Sequence, residues 1–390
     1  MKKLVCSKCR KVYESTKNGR CPSCGASTPH VYEFKNSDDY LKNEIPRILE
    51  EREKFGLNGL VGGMECVIIN TEPSKQQDTV NELLRYTGHE FIEAFQDEVY
   101  LTCILKNGES TDLLVRSRVR NENPFREFNE FPKSKHLPNT RLETFVFQTR
   151  DIEKYVKIQK NRGVKFLTES ILHATHYSFI QTVPSRFTGN SLGFIQWRGE
   201  RGNYVTSESQ SLGWKMNKPK SEYLKHIKEL DHTATRVRAE DRDPAIIEFM
   251  ELTNYNFNFA IYVRTFNSIT NVARLSDGGF AMVFTSGISP YISDEESGPT
   301  EKFIHNYGPR VHHMAFRTEN IEDTYSSLKE DGMDFIIELV GSPEEGLKQT
   351  FTGASEHTLL VNEYIYRYGD FKGFFTKSNV SLLTEATDKQ

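Results

Sequence analysis

Four cysteines near the N-terminus have the spacing of a paired metal knuckle. Cys6-x-x-Cys9 is followed by Cys21-Pro-Ser-Cys24-Gly25, and two such pairs across a short gap can set four thiolates tetrahedrally around one ion. A segment this close to a terminus could hardly form a stable core without such a staple, so residues 1–30 are expected to fold around zinc, or around iron in an Fe(Cys)4 centre. Zinc would mean docking or stability, and iron would mean electron delivery from a redox partner. The other two cysteines, Cys66 and Cys103, lie in apolar strand-like stretches and read as small core residues. His312 and His313 adjoin in a strand-like run. Alternation on a strand sends such neighbours to opposite faces, so one of the two is expected to point inward.

The elements that must position these groups come from the patterning. Asp38 to Phe55 reads as a helix, with Ser37 as N-cap, Asp38 and Asp39 at its positive end, and Leu41, Ile45, Ile48 and Leu49 as its apolar stripe. Pro46 within it marks a kink. Further on, the chain repeats itself. Leu142-Glu-Thr-Phe-Val-Phe-Gln-Thr-Arg-Asp-Ile-Glu and Val311-His-His-Met-Ala-Phe-Arg-Thr-Glu-Asn-Ile-Glu stand 169 residues apart. Each strand leads into an amphipathic helix that stops at a glycine, Gly163 or Gly332, before another apolar run. A repeat of this length means tandem structural units. Two more strand starts, Gly63 to Asn70 and Leu230 to Val237, bring the count to four βαβββ units, paired two and two. The polar stretch 207–222 lies between the pairs. The reading is an α+β chain: a metal ribbon at 1–30, a helical linker at 31–61, a first paired domain at 62–206 and a second at 226–390.

Paired βαβββ units are the layout of the vicinal-oxygen-chelate superfamily. Within it the second half resembles 4-hydroxyphenylpyruvate dioxygenase and hydroxymandelate synthase. The matching stretches are Leu230-Asp-His232, Gly308-Pro-Arg-Val-His-His313-Met-Ala, Leu347-Lys-Gln349-Thr-Phe-Thr352, Asn362-Glu363-Tyr-Ile-Tyr-Arg367, and Gly373-Phe374 followed by Asn379 and Leu382. The resemblance implies His232, His313 and Glu363 as ligands of a mononuclear Fe(II), and it selects His313 over His312. Two neutral imidazoles and a carboxylate on one face of an octahedral metal leave three positions open, enough for a substrate chelating through two oxygens and for dioxygen. The last strand of the third unit, Phe280 to Ser286, offers no fourth ligand, which favours the three-ligand oxygenase class. At the repeat offset Thr144 stands in place of His313, so the first half is expected to be non-catalytic. The second knuckle, with Pro22 and Gly25, is similar to that of a rubredoxin. The first departs from it, since Arg10 follows Cys9.

The resemblance also implies substrate-binding roles for Gln349, Asn271, Thr285 and Phe374. Gln349 and Phe374 match the family's pocket residues. Asn271 stands where the family has Ser, Thr285 where it has Asn, Gly298 where it has Gln, and Val380 where Phe follows Asn379. The segment from His313 to Glu363 is shorter than in the family and nearer to extradiol catechol dioxygenases. The expectation is therefore an Fe(II) dioxygenase taking dioxygen and an aromatic or related 2-oxo acid. The alternatives are an extradiol ring-cleaving enzyme, or a metal-containing binding or regulatory protein without turnover.

The bulk numbers exclude other classes. In 390 residues the net charge is −4, which gives no field to attract nucleic acid or an anionic membrane. The N-terminus has no apolar stretch of the secretory kind, and no run of 18 apolar residues is present. The expected setting is a reducing cytoplasm, with a homo-oligomer or a redox partner compatible with the sequence.

Overall fold

In a computed structural model of the protein, residues 3–5, 12–14, 20–25, 32–33, 37–108, 110–294, 296–369, 371 and 373–390 are described. Three short strands, β1 (Lys3–Val5), β2 (Val12–Glu14) and β3 (Tyr32–Glu33), pair in the order β2-β1-β3. Cys6 and Cys9 lie outside the described residues. Cys21 is buried and Cys24 exposed, and the turn they share is closed by the Gly25 N–H donating to the Cys21 carbonyl at 2.9 Å.

The helix expected from Asp38 is α1 (Asp39–Phe55), which runs on through Pro46. Asp38 is its N-cap residue, but its side chain makes no cap hydrogen bond. The carboxylate is engaged instead by Arg242 and by the Tyr262 hydroxyl. Leu41 and Ile48 are buried, whereas Leu49 is exposed, so the expected stripe was one residue too wide. The buried Arg52 of α1 donates to the carbonyls of Met250 and Tyr255 in the second half of the chain. The linker helix is thus a docked element.

The body consists of four units. The first is β4 (Val61–Asn70), α2 (Gln76–Tyr86), β5 (Glu90–Gln96), β6 (Tyr100–Lys106) and β7 (Asp112–Arg118). The second is β8 (Arg141–Thr149), α3 (Ile152–Asn161), β9 (Leu172–His173), β10 (Tyr177–Gln181) and β11 (Ser191–Trp197), after which β12 (Gln210–Ser211) returns to pair with β5. The third is β13 (Ile227–Arg236), α4 (Arg242–Leu252), β14 (Asn256–Val263), β15 (Ser268–Arg274) and β16 (Ala281–Ser286). After α5 (Pro299–Tyr307) comes the fourth: β17 (Arg310–Thr318), α6 (Ile321–Glu330), β18 (Val340–Ser342), β19 (Leu347–Phe351) and β20 (Val361–Arg367), closed by α7 (Lys377–Ala386). The sheets run β12-β5-β6-β7-β4-β8-β11-β10-β9 and β14-β15-β16-β13-β17-β20-β19-β18. In each, two units join back to back through an antiparallel pair, β4 with β8 and β13 with β17. This is the α+β layout read from the sequence.

The 169-residue offset carries β8 onto β17 and α3 onto α6 end for end. Both helices stop for the same local reason. Gly163 and Gly332 take left-handed φ values of 86° and 90°, and their N–H groups donate to the carbonyls of Lys160 and Lys329. The next residues, Val164 and Met333, donate back to Gln159 and Leu328, which completes a Schellman cap at each site. Burying Ile152 and Tyr155 on α3, or Ile321 and Leu328 on α6, contributes about 1.5–3 kcal/mol per side chain.

The halves are held together by polar groups as well as by a shared apolar core. The Tyr155 hydroxyl and the Gln159 amide of α3 donate to the carbonyls of Leu252 and Glu251, satisfying the C-terminal end of α4. At the repeat positions, Arg141 donates to the Pro309 carbonyl at 2.9 Å and Arg310 to the Thr140 carbonyl at 2.8 Å. Both arginines are fully buried. Among the described residues no helix is long and apolar enough to cross a membrane.

Candidate metal centre

The second sheet brings His232, His313 and Glu363 together. β13 carries His232 in register with Ala315 and Ala281, and β17 carries His313 opposite Ala234. Glu363, on β20, lies beside Ala315. Each ligand-type side chain thus has an alanine as a cross-strand neighbour, which leaves room for it inside the curved sheet. The Nε2 atoms of His232 and His313 each stand 3.2 Å from Oε2 of Glu363. Potential donor atoms of all three residues lie within 4.8 Å of one another, and all three residues are buried. The His232 Nε2 is buried without a hydrogen-bond partner, so the 3.2 Å approach to Glu363 is close but not aligned as a hydrogen bond. Two imidazole nitrogens and a carboxylate oxygen converging with an orphaned donor atom fit a divalent transition metal.

Neighbouring groups hold the three in place, among them Asp231 and Asn379, to which the resemblance assigns no role, and Gln349 and Phe374, which it assigns to substrate. Asp231 accepts from Nδ1 of His232 at 2.7 Å and is itself gripped by Arg367 at 2.5 and 3.0 Å. With Nδ1–H donated to a carboxylate, Nε2 keeps its lone pair for a ligand. Arg367 lies 4.7 Å from the ring centroid of Phe374, and that ring meets His232 edge-on at 5.5 Å. Gln349 donates to Oε1 of Glu363 at 2.5 Å and is held in turn by Asn379 at 3.0 Å. His312 approaches His313 Nδ1 to Nδ1 at 2.8 Å, and its Nε2 reaches Oε1 of Gln390 at 2.7 Å.

That His312 contact corrects the expectation that alternation would send it to the opposite face. The register of β13 against β17 jumps from Ala234–His313 to Thr235–Val311. His312 is the extra residue of a β-bulge, which breaks the alternation and aims adjacent side chains at one space. The same bulge occurs 169 residues earlier, at Glu143.

Protonation follows from burial and neighbours. Burial drives His313 and His312 well below the ordinary histidine range, and the positive groups nearby push the same way, so both are neutral. Burial also works against a proton on His232, but Glu363 and Asp231 outweigh it and raise its pKa to about 9. This shift stabilises the metal-free fold fully below the unperturbed value near 6.5, and the stabilisation is lost as pH rises through about 9. A metal needs neutral imidazole. Uptake of a divalent ion at pH 7.5 is therefore expected to release about one proton per chain, falling toward zero above pH 9. Calorimetric titrations in buffers of different ionisation enthalpy would measure it, and zero release at pH 7.5 would mean that His232 is already neutral.

A cavity of about 50 Å³ adjoins the triad, and Thr285, Gln349, Phe375, Val380 and Arg236 are among the residues lining it. Of the four expected pocket residues, Gln349 and Thr285 are there. Phe374 stands behind His232, ahead of α7, and its neighbour Phe375 takes the lining position. Asn271 is buried outside the lining, accepting from Arg242 and donating to the Phe284 carbonyl. Gly298 also lies outside it. A Cβ there would fall 1.9 Å from the Phe266 carbonyl oxygen, so close packing explains the glycine. A larger cleft of about 810 Å³ opens between α3 and α4, lined by Phe145, Arg162, Glu248 and Phe284 among others. It contains none of the triad, and size does not mark the chemistry here.

In the first half, strand register puts Cys66, Thr144 and Gly193 at the positions of His232, His313 and Glu363. Cys66 joins an apolar cluster with Phe95, Ile104 and Tyr177, and the Phe179 ring fills the space above Gly193.

No protein-family model and no curated protein matches the sequence. Solved structures do match the fold. A triple mutant of 4-hydroxymandelate synthase from Streptomyces coelicolor superposes with a TM-score of 0.61 at 16% identity, over 84% of this chain and 98% of that one. A xylose isomerase-like TIM barrel/4-hydroxyphenylpyruvate dioxygenase fusion protein gives 0.60 at 14% identity, over 89% of this chain. This chain spans 58% of the fusion protein's length. The chain therefore has the paired βαβββ, vicinal-oxygen-chelate fold that these two proteins share.

Proposed function

We propose that the protein is a non-haem Fe(II)-dependent dioxygenase acting on an aromatic or related 2-oxo acid, with His232, His313 and Glu363 as the iron ligands. The observation that carries this reading is the convergence of three buried donors, each with its own supporting partner, in a fold shared with 4-hydroxymandelate synthase. Gln349 and Thr285 would contact substrate, and Phe375 would form a wall. The first paired domain, 62–206, would be structural, since Cys66, Thr144 and Gly193 offer no equivalent donor set. Cys6, Cys9, Cys21 and Cys24 would hold zinc, or iron if the ribbon passes electrons.

Iron would supply the site where dioxygen and a chelating substrate meet. The protein's part is to orient the substrate and exclude water. An extradiol reading is favoured by one feature: Val380 lines the cavity where the resembling family carries Phe, which alters the wall that would face a keto-acid ring. The deciding experiment is oxygen uptake by anaerobically Fe(II)-loaded protein with 4-hydroxyphenylpyruvate, phenylpyruvate and catechol, with CO2 measured alongside. Uptake with one CO2 released per O2 supports the 2-oxo acid route, and uptake with catechol and no CO2 supports ring cleavage. Iron binding without uptake on a broad panel of both would leave a metal-containing binding protein.

A further inference from the structure

Arg236 is the last residue of β13, four positions beyond His232, and it lines the cavity beside the triad. Its residue exposure is 4%, and its Nη1 is buried without a hydrogen-bond partner. Among the described residues no carboxylate lies within ion-pair distance of its guanidinium. The only acid lining the cavity, among the described residues, is Glu363, which is already engaged by His232, His313 and Gln349. The guanidinium lies over the Phe303 ring at 4.5 Å, a contact that fixes its orientation without neutralising its charge. A second orphan faces the same space: Oγ1 of the cavity-lining Thr285 also lacks a partner.

Leaving a guanidinium dry and unpaired is costly, and such groups in native proteins are normally paired. Burial lowers the Arg236 pKa to about 9, with no opposing acid to raise it, so the group remains largely charged at neutral pH. The cavity, at about 50 Å³, has room for roughly a carboxylate-sized group, given the ~30 Å³ that one water occupies in the liquid.

We propose that Arg236 is the anion anchor of this pocket, pairing the substrate's carboxylate beside the triad. The inference rests on the pocket being the substrate site, and it narrows the substrate class to organic acids over neutral catechols. Thr285 would donate to the same carboxylate.

The test uses the full-length, metal-free protein, so that chelation by a metal cannot account for binding. Acetate is the probe and acetamide its neutral isostere, followed by calorimetry and thermal melting. Acetate is expected to bind and raise the melting temperature, acetamide is not, and Arg236→Met should weaken acetate binding about 10- to 100-fold. Arg236→Lys, which keeps the charge, should retain part of the binding and guards against a folding defect in the Met variant. Equal binding of acetate and acetamide, or parent-like acetate binding by a folded Arg236→Met, would overturn the assignment. Metal uptake is measured separately on parent and variants. A parent that takes up no divalent ion defeats the functional reading above, while the acetate comparison still decides the role of Arg236.

Discussion

Glu363→Gln is expected to fold as the parent does and to lose the metal. Glutamine keeps the volume and one carbonyl oxygen, but it removes the charge that both His232 and His313 approach at 3.2 Å. Loss of a supporting partner alone typically costs 10- to 100-fold in metal affinity, so loss of the only acid in the triad should cost at least about 100-fold. Metal bound at this site should fall from one per chain to near zero, with any ion in the cysteine ribbon unchanged. The stabilisation conferred by metal, about 4 kcal/mol for a ligand present at a thousand times its Kd, should vanish with it. Metal analysis and melts with and without metal would check both. A variant that kept metal at parental affinity would remove Glu363 from the site.

Asp231→Asn is the second large expected effect. Asp231 touches no donor atom of the triad besides its bond to His232, yet it fixes which nitrogen of that ring faces inward. Burial alone would raise its pKa, but Arg367 and His232 hold it well below the ordinary carboxylate range. Asparagine can still accept from one neighbour but cannot neutralise Arg367. The metal-free protein should lose about 1.5–3 kcal/mol, and metal affinity should fall about 10- to 100-fold. Denaturant midpoints and metal competition titrations would separate the two. A stability loss with unchanged affinity would reduce Asp231 to a structural brace, and no change in either would mean that the contact carries no energy.

The fold was legible because its signals are local and repeated. Apolar spacing and a terminal glycine, written twice at one offset, suffice to mark α3 and α6. His232, His313 and Glu363 were legible through the short motifs around them. What supports them was less so: Asp231 and His312 adjoin their partners in the chain, but other contacts cross between strands, as where Gln349 reaches Glu363 from β19 to β20 and Arg367 reaches Asp231 from β20 to β13. The His312 error has a sharper cause. A rule of alternation has no way to see a bulge, which is a property of pairing with another strand. Phe374 and Phe375 differ only in which way an irregular segment turns them, and nothing in two adjacent phenylalanines encodes that. Asn271 stands at a position where the resembling family has a pocket Ser, but the buried Arg242 claims its side chain. The knuckle cysteines stand apart: Cys6 and Cys9 fall outside the described residues, and the ribbon remains a reading of spacing.

The paired arginines at the junction of the halves have one more implication. Arg141 reaches the residue before Arg310, and Arg310 reaches the residue before Arg141. Such reciprocity is what a two-fold axis between identical subunits imposes on a homodimer interface. Here the same handshake occurs inside one polypeptide, so the chain carries its own partner at a fixed ratio of one to one. Covalent pairing removes the need for the two members to stay alike. One half fills its interior with Phe179 and Tyr177, while the other leaves its interior open around three donor atoms.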